Sequence, residues 1–268
     1  MTIKDIIQII EKNAPCVYAE EWDNTGLLIG DENETVLGVL IALELTEAVL
    51  QEAIDGGFNL IITHHPLIFN GIKKIDYQDL TGRIIRKVIA NNIAVYAAHT
   101  NLDNAPDGVN QKLAKKIGLK NTAILSPKQT VYQQENKAEQ TGSGVIGTLP
   151  EPMNEKDFLL MIKQILNIPV LRHSCFTGKM LNKIALCGGS GSFLIQSALE
   201  QKADAFITAD VKYHDFFLPN KKILLVDAGH YETEQFTTSL LFDILHQNFS
   251  TFALRISDIN TNAVNYLI

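Results

Sequence analysis

Long hydrophobic runs are missing from this chain of 268 residues, and no stretch approaches the roughly eighteen uninterrupted apolar residues of a membrane-spanning helix. The opening Met1-Thr2-Ile3-Lys4-Asp5 has no basic segment leading into an apolar core, so no secretory leader is expected. Cysteine is scarce. Cys16, Cys175 and Cys187 show no C-x-x-C spacing, which excludes a disulfide framework or thiolate zinc knuckle and predicts small buried apolar residues in a reducing compartment. A positive charge excess is absent too: 23 Lys and Arg face 30 Asp and Glu, a net charge of −7. That balance argues against broad binding to nucleic-acid backbones, yet leaves an anionic substrate open, because bound cations reverse a local field. No serine sits in a G-x-S-x-G setting, so a serine nucleophile is not expected. A soluble cytoplasmic protein is the expectation.

What is present is ordinary globular material, 46% hydrophobic and 20% charged, enough for one large domain or two modest ones. Thr2 and Asp5 form a capping-box pattern that opens a helix with a stripe of Ile6, Ile7, Ile9 and Ile10, and Pro15 ends it. Val36 to Leu43, Phe58 to Thr63 and Ile93 to Ala98 read as buried parallel strands, separated by helices at Thr46 to Ala53 and Leu80 to Asn91. The pattern lapses from Ser126 to Pro150, with polar Gln129–Lys137 and the turn signal Gly142-Ser143-Gly144, and a boundary is expected there, with room for edge strands that cross it. Helical periodicity resumes from Glu155 to Leu166. A second α/β stretch then repeats the first: Lys183–Cys187 matches Val39–Leu43, Asp204–Thr208 matches Asn59–Thr63, and Leu225–Ala228 matches Val95–Ala98. Between them the helix Phe193–Glu200 matches Glu47–Ile54. The expected fold class is α/β: two related three-layer units with mostly parallel sheets around a shared metal cleft.

Chemistry concentrates at the strand ends, where open α/β sheets bind ligands. His64 and His65 stand side by side after the second strand. Packing explains such a doublet poorly, because successive strand side chains point to opposite faces, so a bend at Pro66 would let both rings serve metals. Past the third strand of each repeat comes a His-x-x-x-carboxylate: His99 to Asp103, and His230 to Glu234. If the latter is helical, its two side chains share a face and can converge on one ion. Imidazole plus carboxylate without thiolate suits Zn, Mn, Fe, Co or Ni, and positions left for water mark a catalytic site. His99 is expected to orient a ligand or shuttle a proton, and His214 is a further candidate for catalysis. His173 and His246 are expected to be structural or exposed. Gly188-Gly189-Ser190-Gly191-Ser192 joins a strand to a helix, so Gly189, Ser190 and Gly191, with Lys212, are candidates for holding a phosphate. Trp22-Asp23-Asn24 is read as lining the cleft or capping a turn.

Six segments together resemble the NIF-three-like family, whose bacterial members are often labelled type 2 GTP cyclohydrolase I. They are Trp22–Leu27, Thr63–Leu67, His99–Asp103, Gly188–Ser192, Asp210–His214 and Gly229–Glu234. The chain resembles the short form, and Glu44 stands where members commonly carry Asp. The resemblance implies a dinuclear site with His64, His65, Asp103, His230 and Glu234 as ligands of two divalent ions, Glu234 bridging. It also implies two intertwined units, taken here as 1–125 with 226–268 and 126–225, and a toroidal homohexamer. The implied activity is GTP cyclohydrolase-like hydrolysis of a nucleotide. A metal-binding regulator or scaffold and a metal-dependent phosphoesterase are the alternatives.

Overall fold

The computed structural model describes residues 1–128, 131–132, 138–249 and 253–267. In chain order the helices are α1 (Ile3–Asn13), α2 (Glu47–Asp55), α3 (Leu80–Ala90), α4 (Thr100–Asp103), α5 (Val109–Ile117), α6 (Glu155–Ile165), α7 (Ile195–Glu200), α8 (His230–Glu234) and α9 (Thr237–His246). The strands are β1 (Gly26–Ile29), β2 (Val39–Ala42), β3 (Leu60–Thr63), β4 (Ala94–Ala97), β5 (Lys120–Pro127), β6 (Val131–Tyr132) and β7 (Ala138–Glu139). They continue with β8 (Gly142–Asn154), β9 (Arg172–His173), β10 (Met180–Ser190), β11 (Ala205–Ala209), β12 (Leu224–Asp227) and β13 (Leu254–Ile256). Two compact units result: Met1–Leu102 with Thr237–Ala263, and Asp103–Phe236 with Val264–Ile268. This division places residues 103–125, 226–236 and 264–268 in the second unit, where the sequence reading puts them in the first. The reason is pairing: β5 hydrogen-bonds to β8, and β12 to β11, within the second sheet.

In the first unit the sheet order is β1-β4-β3-β2-β13. Its four strands β13, β2, β3 and β4 run parallel, and only β1 is antiparallel. Helix α1 begins where the capping box places it, Thr2 Oγ1 accepting from the Asp5 amide while Asp5 accepts from the Thr2 amide. Its buried face is Ile3, Ile6, Ile7 and Ile10, with Ile9 half-exposed. Leu40, Ala42, Ile61 and Val95 point to one side of the sheet, against Val49, Leu50 and Ala53 of α2 and Ile84 and Val88 of α3. On the other side α9 packs on β2 and β13 and against α1. Helices on both faces explain why these strands are apolar throughout.

The second unit holds a six-stranded sheet, β5-β8-β10-β11-β12-β9. Only its centre, β10-β11-β12, is parallel, and β5, β8 and β9 pair antiparallel. That centre reproduces β2-β3-β4, as the internal repeat predicts, but the sheet as a whole is mixed. Ile184, Leu186, Ile207 and Val226 face Leu113 of α5 and Phe158 and Ile162 of α6. Ala185, Cys187, Phe206 and Leu225 face Ile195 and Ala198 of α7 on the opposite side. The period-2 split makes this unit three-layered as well. The later part of the segment read as a boundary, residues 142–150, belongs to the 13-residue β8, whose register with β5 and β10 is continuous apart from bulges. The polar run Gln129–Lys137 lies mostly outside the described residues. The helix expected at Phe193–Glu200 opens as a single 3-10 turn, Ser192–Leu194, before α7. Cys187 is buried as expected, but Cys16 and Cys175 are exposed, and all three are free thiols. Among the described residues no helix is long and apolar enough to cross a membrane.

Candidate functional site

In the first unit β3 ends at Thr63, and the chain bends at once. The Thr63 hydroxyl donates to the His65 carbonyl at 2.8 Å, closing a turn that brings both imidazoles to one side. Their ring centroids lie 4.8 Å apart, and each lies 5.3 Å from the ring of His99, which follows β4. Ring nitrogens of all three fall within 4.8 Å of one another. His64 is fully buried, and His65 and His99 are largely so.

Each ring is held the same way. His64 Nδ1 bonds the Ala98 carbonyl at 2.8 Å, His65 Nδ1 bonds Glu44 at 2.6 Å, and His99 Nδ1 bonds Asp23 at 2.8 Å. Carbonyls and carboxylates only accept, so Nδ1 carries a proton in every case, and in the neutral ring Nε2 is the nitrogen with the lone pair. Fixing the ring through its outward nitrogen is how proteins prepare histidine for a metal. Asp23 also accepts from the Thr100 amide and hydroxyl and from the Asn24 amide. Burial alone would raise its pKa; the bonds from His99 and Thr100 outweigh that and lower it to about 2.

In the second unit α8 starts directly after β12, and the five-residue helix sets His230 and Glu234 on one face as the spacing predicts. His230 Nε2 lies 3.0 Å from Glu234 Oε2, and His230 Nδ1 bonds Asp210 at 2.6 Å. Asp210 follows β11 at the place that His65 holds in the first repeat. Burial acts to lower the His230 pKa, but the hydrogen bonds to Asp210 and Glu234 raise it to about 11. Asn110 of α5 ties the remaining acid in place: its amide donates to the Asp103 carbonyl at 3.0 Å, while its oxygen accepts from Gly188 at 2.9 Å. A carboxylate oxygen of Asp103 lies within 4.8 Å of one of Glu234. Burial first, and then the charges of Asp103 and Glu234, push the Cys187 thiol pKa up. Two carboxylates this close, one of them only 4% exposed, call for a compensating cation. The donor set of imidazoles and carboxylates thus fits divalent metal.

The glycine-rich loop does something other than expected. The Gly189 amide donates to Thr233 Oγ1 at 3.0 Å and the Gly191 amide to Thr208 Oγ1 at 2.9 Å. These amides are spent on the protein and do not form a phosphate cradle. The loop's glycines instead let the backbone pass the ligands: a Cβ at Gly189 would meet Glu234 Oε1 at 2.1 Å and His230 Nε2 at 3.2 Å. Ser190 and Lys212 are exposed. His214 is exposed beside Tyr213 on a 3-10 turn, and no ligand group among the described residues includes it. His173 and His246 are exposed, as expected. Sequence reasoning missed Glu44 and Asp210 as ring-holding acids; the available signal was a carboxylate within three residues of the ends of β2 and β11. Replacing Asp210 with alanine is expected to weaken metal affinity about 10–100-fold while His230 and Glu234 stay in place, measurable by competition with a chelating dye.

Comparison with known proteins finds relatives along most of this chain. The family model of Duf34/NIF3 (NGG1p interacting factor 3) matches residues 1–263. A Clostridium acetobutylicum protein named GTP cyclohydrolase 1 type 2 homolog is 36% identical over 236 residues, 87% of this chain and 85% of its own length. A Staphylococcus aureus crystal structure superposes with a TM-score of 0.90 at 35% identity, covering 100% of this chain and 99% of that one. A Bacillus cereus protein related to NIF3 does so with a TM-score of 0.88 at 27% identity, covering 100% and 99%.

Proposed function

The chain belongs to the Duf34/NIF3 family, and we propose that it is a dinuclear metal-dependent hydrolase acting on a nucleotide, with GTP as the first candidate. His64, His65, Asp103, His230 and Glu234 are the proposed ligands of two divalent ions, with Glu234 shared between them. When bound, such ions lower the pKa of water and polarise a substrate oxygen or ring carbon. The protein's part is orientation. Glu44, Asp210 and the Ala98 carbonyl engage Nδ1 of His65, His230 and His64, which leaves Nε2 as the nitrogen each ring would offer a metal. His99, held by Asp23 through Nδ1, is the group proposed to move a proton at Nε2 during turnover. The nucleotide assignment is supported by the name of relatives such as the Clostridium protein, GTP cyclohydrolase 1 type 2 homolog.

The observation that carries the metal reading is the common use of Nδ1 by all four of these histidines. Elemental analysis of the native protein is expected to find about two transition-metal equivalents per chain, among Zn, Mn, Fe, Co and Ni, and at most one in His65→Ala or Glu234→Ala. Metal-loaded protein given GTP is expected to release formate. No release above the two variants refutes the cyclohydrolase reading, and a native protein that neither contains nor takes up Zn or Mn refutes the metal site.

A metal-binding regulator is favoured by one observation, the commitment of the Gly189 and Gly191 amides, which removes the expected phosphate contact. A toroidal homohexamer is proposed for either case. Sedimentation of loaded and stripped protein separates the two: an assembly that changes with metal, alongside a silent substrate screen, supports the regulator.

A further inference from the structure

The Trp22-Asp23-Asn24 segment has a use beyond its hold on His99. Asp23, its side chain fully buried, is pinned by His99 and Thr100, while Asn24 Nδ2 donates to the Ile68 carbonyl. These two clamps fix the residues on either side of them, Trp22 and Phe69, against each other. Their ring centroids lie 5.7 Å apart, and each lies 6.3 Å from His99 in an edge-on arrangement. Yet Trp22 is 61% exposed and Phe69 47%. Single exposed apolar residues are commonplace, but two large rings held open to solvent by part-buried polar bonds, edge-on to a histidine of the candidate site, are a prepared surface.

We propose that Trp22 and Phe69 form the stacking wall for a planar heteroaromatic ring, the purine base of a nucleotide, and set it beside His99. The proposal rests on the nucleotide reading above and names what would recognise the base. An aromatic face suits it because every base offers a π-surface, and stacking tolerates the ring's exocyclic groups. The acidic balance of the chain does not oppose such a contact, since stacking needs no positive charge.

Trp22 is the chain's only tryptophan, so emission excited selectively from tryptophan, and not from the seven tyrosines, reports on this wall alone. Titration of the full protein with guanosine 5′-monophosphate is expected to quench the emission saturably, whereas ribose 5-phosphate leaves it unchanged. By calorimetry, Trp22→Ala is expected to weaken guanosine monophosphate binding about tenfold, and Trp22→Phe to restore most of it. Equal responses to the two ligands, or wild-type affinity in Trp22→Ala, overturns the proposal. So does an emission shielded from iodide before ligand is added, which would show the ring covered by a second copy of the chain. Failure of the hydrolase reading is distinguishable: nucleotide quenching without GTP turnover sinks the reaction and keeps the wall. Turnover with an unchanged KM in Trp22→Ala sinks the wall alone.

Discussion

Gly189→Ala is expected to lower the unfolding free energy by about 3 kcal/mol and to strip the protein of metal. Two causes combine. Gly189 sits at φ +58, where a Cβ costs about 1–2 kcal/mol. That Cβ would also lie 2.1 Å from Glu234 Oε1 and 2.9 Å from its Cδ, so a buried carboxylate has to move. Gly57 separates the causes, because at φ +69 a Cβ there meets nothing within 4 Å. Gly57→Ala is expected to show the backbone cost alone, about 1 kcal/mol, with wild-type metal content. Denaturant unfolding and elemental analysis of both variants check this. If Gly189→Ala keeps its full metal complement, Glu234 is not a ligand held by that loop.

Glycines elsewhere in the chain show why part of the fold was legible in the sequence and part was not. The β2-β3-β4 and β10-β11-β12 cores could be read because strands buried on both faces are unbroken apolar runs, and their repetition marked a second unit. The His230–Glu234 pairing could be read because helical spacing is local. Strand β8 could not, because its glycines imitate turn signals. A Cβ at Gly144 would lie 2.9 Å from the Leu186 carbonyl, and one at Gly147 would lie 2.9 Å from that of Lys120. Here glycine marks close approach to β10 on one side and β5 on the other, a demand set by partners far away in sequence. The supporting acids escaped for a related reason. Glu44 reaches His65 across 21 positions and Asp210 reaches His230 across 20, so only the folded sheet ends reveal their pairing. The glycine loop misled in the opposite sense: its composition suggested phosphate, but the threonines that occupy its amides, Thr208 and Thr233, come from β11 and α8.

Asp23→Asn is expected to leave the protein folded while reversing the tautomer of His99. The wild-type carboxylate accepts from His99 Nδ1, from the Thr100 amide and hydroxyl, and from the Asn24 amide, which uses its acceptor capacity fully. Asparagine has the same shape but only one accepting atom. With its oxygen toward Thr100, its amide nitrogen faces His99 and can only donate, so Nδ1 must accept and the proton moves to Nε2. The Asn24 amide loses its partner in the same change, and stability is expected to fall by about 2 kcal/mol. Histidine nitrogen spectra read the tautomer directly. If His99 takes up a proton at Nε2 during turnover, activity drops about 10²–10⁴-fold without loss of metal. The acid arm of the stability profile gives a further check. A pKa lowered to about 2 contributes stability that is complete above the ordinary value near 4 and vanishes as pH falls through 2. The asparagine variant is expected to lack that decline. Persistence of an unprotonated Nε2 in Asp23→Asn would show that something other than Asp23 sets the ring, and the Trp22-Asp23-Asn24 segment would lose its hold on the site.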